Sequence, residues 1–216
     1  MTGKPRDDPG GTGPPPFESA LELHGPRVHS WLVARVGPDR AEDVFQETML
    51  AALRSWHRAE SGSVRSWLFT IARNKAIDEV RSAGRRPAPE GEVDSWPSAA
   101  VADGIEDPVW DEVRGLPEKQ RAAVTLRFRG DLSHREIGTV MGISEAAARR
   151  NVFEGLRPCG KGWTMSELER RIRGEMPGGW DRIREDLLRR ASDEALIDLA
   201  YESHDSPFGT LLVVAG

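Results

Sequence analysis

Arg149 and Arg150 follow Glu145 and Ala146 in the stretch ISEAAARRNV, and His134 and Arg135 stand just upstream. Guanidinium groups side by side on a helix suit phosphate oxygens and the acceptor edge of guanine. That chemistry is recognition; no bond is made or broken. A second basic set lies in SGSVRSWLFTIARNKAIDEVRSAGRR, where Arg65, Arg73, Lys75, Arg81, Arg85 and Arg86 oppose only Asp78 and Glu79. Trp67 and Asn74 share that stretch. A third set, Asp43, Gln46 and Glu47, is polar and acidic. Cys159 is the only cysteine, which excludes an intrachain disulfide and a multi-cysteine zinc cage and suits a reducing cytoplasm. No catalytic residues, metal site or cofactor are expected.

The elements that position these residues follow from periodicity. Ser133 followed by Glu136 is a capping-box signature. Ile137, Val140 and Met141 supply an apolar face, and Gly142 suits a turn needing positive φ. Ser144 can cap the next helix, in which Ala148 and Val152 face inward. His134, Arg135, Glu145, Ala146, Arg149 and Arg150 are left pointing outward. This is the spacing of a helix-turn-helix whose second helix, 145 to 156, would enter a DNA major groove. A plain helical hairpin with solvated arginines fits the same pattern. Upstream, LPEKQRAAVTLRFRG predicts a helix with Pro117 in its first turn.

Toward the N-terminus, Ala41, Phe45, Met49, Ala52 and Trp56 form a helical stripe that leaves Asp43, Gln46 and Glu47 outside it. Val64, Trp67, Leu68, Ile71, Ile77 and Val80 make a second buried face; the stripe position of Trp67 favours burial. Leu21, Leu23, Val28, Trp31, Leu32 and Val36 predict a first helix over 17 to 36, bent at Gly25-Pro26. Residues 1 to 16, rich in Gly and Pro, predict a disordered tail.

Charged residues make up 30% of the 216 and hydrophobic ones 38%, and no apolar run reaches the roughly 20 residues of a membrane span. The N-terminus has no apolar signal core, so a cytoplasmic protein is expected. The net charge of −5 does not describe the basic segments. Between 87 and 115 eight carboxylates face one arginine among Pro, Gly and Ser, which predicts a flexible acidic linker and accounts for much of the acidity.

AEDVFQETMLAALRSW with WLFTIARNKAID, and then LPEKQRAAVTLRF with the helix-turn-helix, resemble in order regions two and four of small, extracytoplasmic-function sigma factors of the sigma-70 family. The resemblance covers about residues 17 to 157. It implies an all-α, non-enzymatic protein of two small helical domains. A disordered tail (1–16) would precede region two (17–86), followed by the linker (87–115), region four (116–160) and an extension (161–216). It implies core RNA polymerase and promoter DNA as partners, and admits an anti-sigma factor. Asp43, Gln46 and Glu47 match positions that dock on polymerase. Trp67, Arg73, Asn74, Asp78 and Arg81 lie in the helix that handles the melted minus-ten element. His134, Arg135, Glu145, Ala146, Arg149 and Arg150 would belong to the reader of the minus-thirty-five element. Asn151, Glu154 and Leu156 depart from the family, which carries basic residues there or nearby.

The end of the chain fits that family poorly. Residues 165 to 193 predict polar helices. LAYESHDSPFGTLLVVAG predicts a β-hairpin, whose D-S-P-F-G turn resembles the opening of an alkylguanine-DNA methyltransferase. That chemistry needs a cysteine in a P-C-H-R setting, which is absent, so no methyl transfer is expected and Cys159 is read as an unreactive loop thiol. The strand 209 to 215, if unpaired, is an aggregation hazard. A fusion or frameshift with the second frame cut short would explain the join. Two other readings stay open: a helix-turn-helix regulator that does not act as a sigma subunit, and an inactive fragment of a sigma–methyltransferase fusion.

Overall fold

The computed structural model describes residues 14–59, 63–84, 107–159, 162–174, 178–197, 200–206 and 209–215. It divides into two compact units, residues 1–178 and 179–216. Among the described residues the chain is mainly α-helical, with one hairpin over 200–215.

In the first unit, α1 (Phe17–Val36), α2 (Pro38–Arg54) and α3 (Val64–Gly84) pack on one another as a first bundle. Trp31, Leu32, Phe45, Met49, Leu50, Leu68 and Phe69 fill its core, with Trp31 edge-on to Phe69 at 5.9 Å. The first helix runs unbroken through Pro26. Leu23 is 72% exposed, outside the core expected for it. Residues 1–13 of the expected tail lie outside the described residues; Pro15 is pinned, its carbonyl accepting from Trp56 Nε1 at 3.0 Å.

The second bundle comprises α4 (Pro108–Arg114), α5 (Glu118–Phe128), α6 (His134–Met141), α7 (Glu145–Cys159) and α8 (Met165–Arg173). Residues 108–114 were expected in the linker. They are a helix because the Asp107 side chain caps it, Pro108 fits its first turn, and Val109, Trp110 and Val113 are buried. The acidic stretch before it, 85–106, lies outside the described residues. Pro117 is the cap residue before α5 rather than its first helical residue. The helix α8 is capped by Thr164 with Glu167, buries Leu168 and Ile172, and packs on α4 and α5, so this part of the extension belongs to the first unit. Cys159 ends α7 rather than lying in a loop; it is buried, and burial pushes its thiol up to about 11.

The second unit holds α9 (Trp180–Asp193) and the antiparallel pair β1 (Ala200–Ser206) and β2 (Gly209–Ala215), in register from Ala200 opposite Ala215 to Ser206 opposite Gly209. The hairpin pairs the strand 209 to 215, whose exposure was the concern above.

Candidate nucleic-acid interface

The helix-turn-helix is built by local signals. Ser133 Oγ accepts from the Glu136 N–H, while the Glu136 carboxylate accepts from the Ser133 N–H at 2.7 Å. Gly142 closes α6 at φ +69°, a conformation that costs glycine nothing. Ser144 Oγ then accepts from the Ala147 N–H at 3.2 Å and starts α7. Ala148 and Val152 are buried under α7, so its opposite face is free.

Glu145, Ala146, Arg149, Arg150 and Phe153 line an open concavity of about 680 Å³ on that face. Arg149 is paired with Glu145 at 3.1 Å, both largely exposed. His134 is half-buried; burial, then Arg127 and Arg149, lower its pKa from the usual 6.5. Arg135 is exposed on the same motif. Phe153 is 63% exposed and was missed from sequence, where an aromatic beside Val152 reads as core. Counting turns finds it, since Ala146 and Phe153 are seven residues apart and share a face. Glu154 accepts from Gln120 at 3.2 Å and Leu156 is buried, which explains why neither position is basic.

In the first bundle, Trp67, Asn74, Asp78 and Arg81 fall on one stripe of α3 at about 100° per residue. Asn74, Asp78 and Arg81 are exposed, and Trp67 is half-buried, edge-on to Trp56 at 5.8 Å. Arg73 lies off that stripe, close enough to Arg35 for its charge to act there. Asp43 and Glu47 line a cleft of about 270 Å³ between α2 and α3, with Lys75, Asp78 and Glu79. Glu47 pairs with Lys75 at 3.4 Å and Glu79 with Arg40. Gln46 is half-buried and does not line the cleft. The structure thus groups Asp78 with the carboxylates of α2, and the four acids outnumber Lys75 and Arg40, so the cleft is net acidic.

A three-helix bundle with an acidic cleft, followed by a capped helix-turn-helix with two arginines on its outer face, defines the fold class: an all-α protein with a helix-turn-helix. The sigma-70 region 2 family model matches residues 20–86, and the sigma-70 region 4 model matches 107–159. The chain is 35% identical to RNA polymerase sigma factor CarQ of Myxococcus xanthus over 64% of this chain and 84% of that protein. It is 32% identical to the ECF RNA polymerase sigma factor RpoE of Cereibacter sphaeroides over 59% of this chain and 75% of that one. Among solved structures, the sigma factor RpoE bound to the anti-sigma factor NepR from Bartonella quintana shares the fold. Its TM-score is 0.53 at 21% identity, covering 67% of this chain and 94% of that one. The chain belongs to the sigma-70 family, as an ECF-type RNA polymerase sigma factor acting in transcription initiation. It is not an enzyme.

Proposed function

We propose that this sigma factor docks on core RNA polymerase through Asp43, Gln46 and Glu47 and reads two promoter elements with its two bundles. The first bundle, residues 17–86, handles the melted minus-ten strand with Trp67, Arg73, Asn74 and Arg81, and Asp78 sits where the two surfaces meet. The second, beginning at 107, reads the minus-thirty-five element with His134, Arg135, Glu145, Ala146, Arg149 and Arg150. The observation that carries this reading is the outer face of α7, where two arginines and a phenylalanine stand clear of the packed core. The mechanism is tethered recognition: polymerase holds both readers, so two weak contacts act as one strong one. The protein works in the cytoplasm, and among the described residues no helix is long and apolar enough to cross a membrane. An anti-sigma factor is a further partner.

Abortive initiation with purified core polymerase tests this. Initiation at a specific promoter should depend on the added chain and fall at least about tenfold in Asp43→Ala/Glu47→Ala. Initiation unaffected by the substitutions would remove the docking assignment. Specific duplex binding without any initiation would favour a plain regulator.

For residues 165–216 we propose kinship with the opening of an alkylguanine-DNA methyltransferase, without its activity. The β1–β2 pair, joined across the D-S-P-F-G segment, supports this. Against it stands α8, which packs with the second bundle. Transfer of labelled methyl from alkylated DNA to this chain would overturn the inactivity.

A further inference from the structure

Three aromatic rings line one edge of the first bundle, outside its core. Phe17 opens α1, Trp56 begins the 3₁₀ turn Trp56–Arg58 that follows α2, and Trp67 lies in the first turn of α3. Each is half-buried, whereas Trp31, Phe45 and Phe69 are closed off from water. Phe17 meets Trp56 edge-on, ring centroids 5.1 Å apart, and Trp56 meets Trp67 in the same way at 5.8 Å. Both pairs have the edge-to-face geometry that aromatic quadrupoles favour. The Trp56 indole N–H donates to the Pro15 carbonyl at 3.0 Å. The rings form a relay from the entrance of α1 to α3.

The far end of that relay is the stripe already described on α3, a helix that presents two opposite faces. Arg65 and Phe69 turn toward the second bundle: Arg65 donates to the Gly130 carbonyl at 3.1 Å, and a Cβ on Gly130 would stand 2.8 Å from the Phe69 ring. Trp67 lies about 200° round the helix from Arg65, in line with Asn74, Asp78 and Arg81. The middle of the relay has little of its own to fix it. The 3₁₀ turn is three residues long, no side chain caps it, and His57 and Arg58 are exposed. The Trp56 ring is gripped by Pro15 and Phe17 from the entrance of α1 and by Trp67 from α3. Pro15 and Phe17 precede the segment 20–86 that the region 2 model matches.

We propose that Trp56 is a positioning residue for capture of the melted strand: it holds the Trp67 ring in the orientation that meets an unpaired base, and Pro15 and Phe17 set Trp56 in turn. The inference rests on the reading of Trp67 as a residue that handles the melted minus-ten element. A base stacks best on a ring already presented to it, because a ring free to turn must be ordered on binding. The entrance of α1 thus contributes to DNA capture without touching DNA.

Equilibrium binding by holoenzyme, assembled from core polymerase and the full chain, tests this. The probe is a fluorescein-labelled single strand carrying the minus-ten element of the promoter that abortive initiation identifies; a duplex minus-thirty-five fragment is the control. Trp67→Ala should weaken capture of the strand roughly tenfold. Trp56→Ala should weaken it about fivefold and Phe17→Ala about threefold, with the duplex control unchanged. Trp56→Phe, which keeps a ring but not the N–H, should fall between the unsubstituted chain and Trp56→Ala. Because both residues act through Trp67, neither Trp56→Ala nor Phe17→Ala should weaken capture further once Trp67 is alanine. Helical dichroism checks folding; should W56A lose signal, F17A decides. Losses that add to that of W67A overturn the relay, as does capture unaffected by W56A and F17A while W67A weakens it. An inert W67A overturns the reading of Trp67 itself, and the relay with it.

Discussion

At the scale of single residues, the two arginines on the proposed recognition face differ in their surroundings. Arg149 shares its charge with Glu145, whereas Arg150 stands beside that pair. Replacing a phosphate-contacting cation weakens binding evenly across sequences. Arg150→Ala should therefore reduce holoenzyme affinity for good and poor minus-thirty-five elements alike, measured by titration of a promoter panel. A change confined to one base position would make Arg150 a base reader. His24 carries a different expectation. Burial, then Arg65, lower its pKa from the usual 6.5, with Glu136 acting the other way. Above that value both folded and unfolded chains hold it neutral. As pH falls below 6.5 the unfolded chain takes up the proton first, so the folded form loses stability until the folded pKa is passed. Denaturation midpoints between about pH 7 and pH 5 should fall less in His24→Gln than in the unsubstituted chain; equal slopes would refute the assignment. His24 did not stand out in the sequence, and Arg65 stood out only as one of a basic set. Their significance comes from neighbours on another helix, which no local spacing reveals.

At the scale of elements, the local signals were readable because they act within four residues. The Ser133–Glu136 box, Gly142 and Ser144 each satisfy a backbone requirement set by their immediate neighbours. Ser133→Ala should cost about 1 kcal/mol, read as a lower urea midpoint with an unchanged slope. An unchanged midpoint would mean that water caps α6 as well as serine does. The helix α4 was not readable. Seven residues among acids and breakers carry little propensity, and what fixes them is the burial of Trp110 and Val113 under elements distant in sequence. The extension shows the same thing: polarity predicted α8 as a helix, but its seat depends on Leu168, Ile172 and the pairing of Arg171 with Asp107 at 3.1 Å.

At the scale of the whole molecule, charge is divided rather than summed. A chain of net −5 still has basic faces on α3 and α7, while acids gather in the α2–α3 cleft and the 87–106 stretch. Two small basic faces neutralise few phosphates each. The free chain should bind duplex promoter DNA weakly, near non-specific affinity of about 10⁻⁴ to 10⁻⁶ M at physiological salt. Polymerase should tighten that binding many-fold, as fluorescence anisotropy with and without core would read. Tight sequence-specific binding by the free chain would contradict this expectation.

The Arg65 contact to Gly130 spans 65 positions, and that separation has a temporal side. Ribosomes add roughly 5–20 residues each second, so Arg65 leaves the exit tunnel some 3–13 s before Gly130 does. The three helices of the first bundle are contiguous and can assemble in that interval. Every newly made molecule therefore passes through a period in which Phe69 has no glycine against it and Arg65 has no carbonyl to hold. A binder of the first bundle acting during synthesis meets no competition from the rest of the chain, an advantage it loses once translation ends.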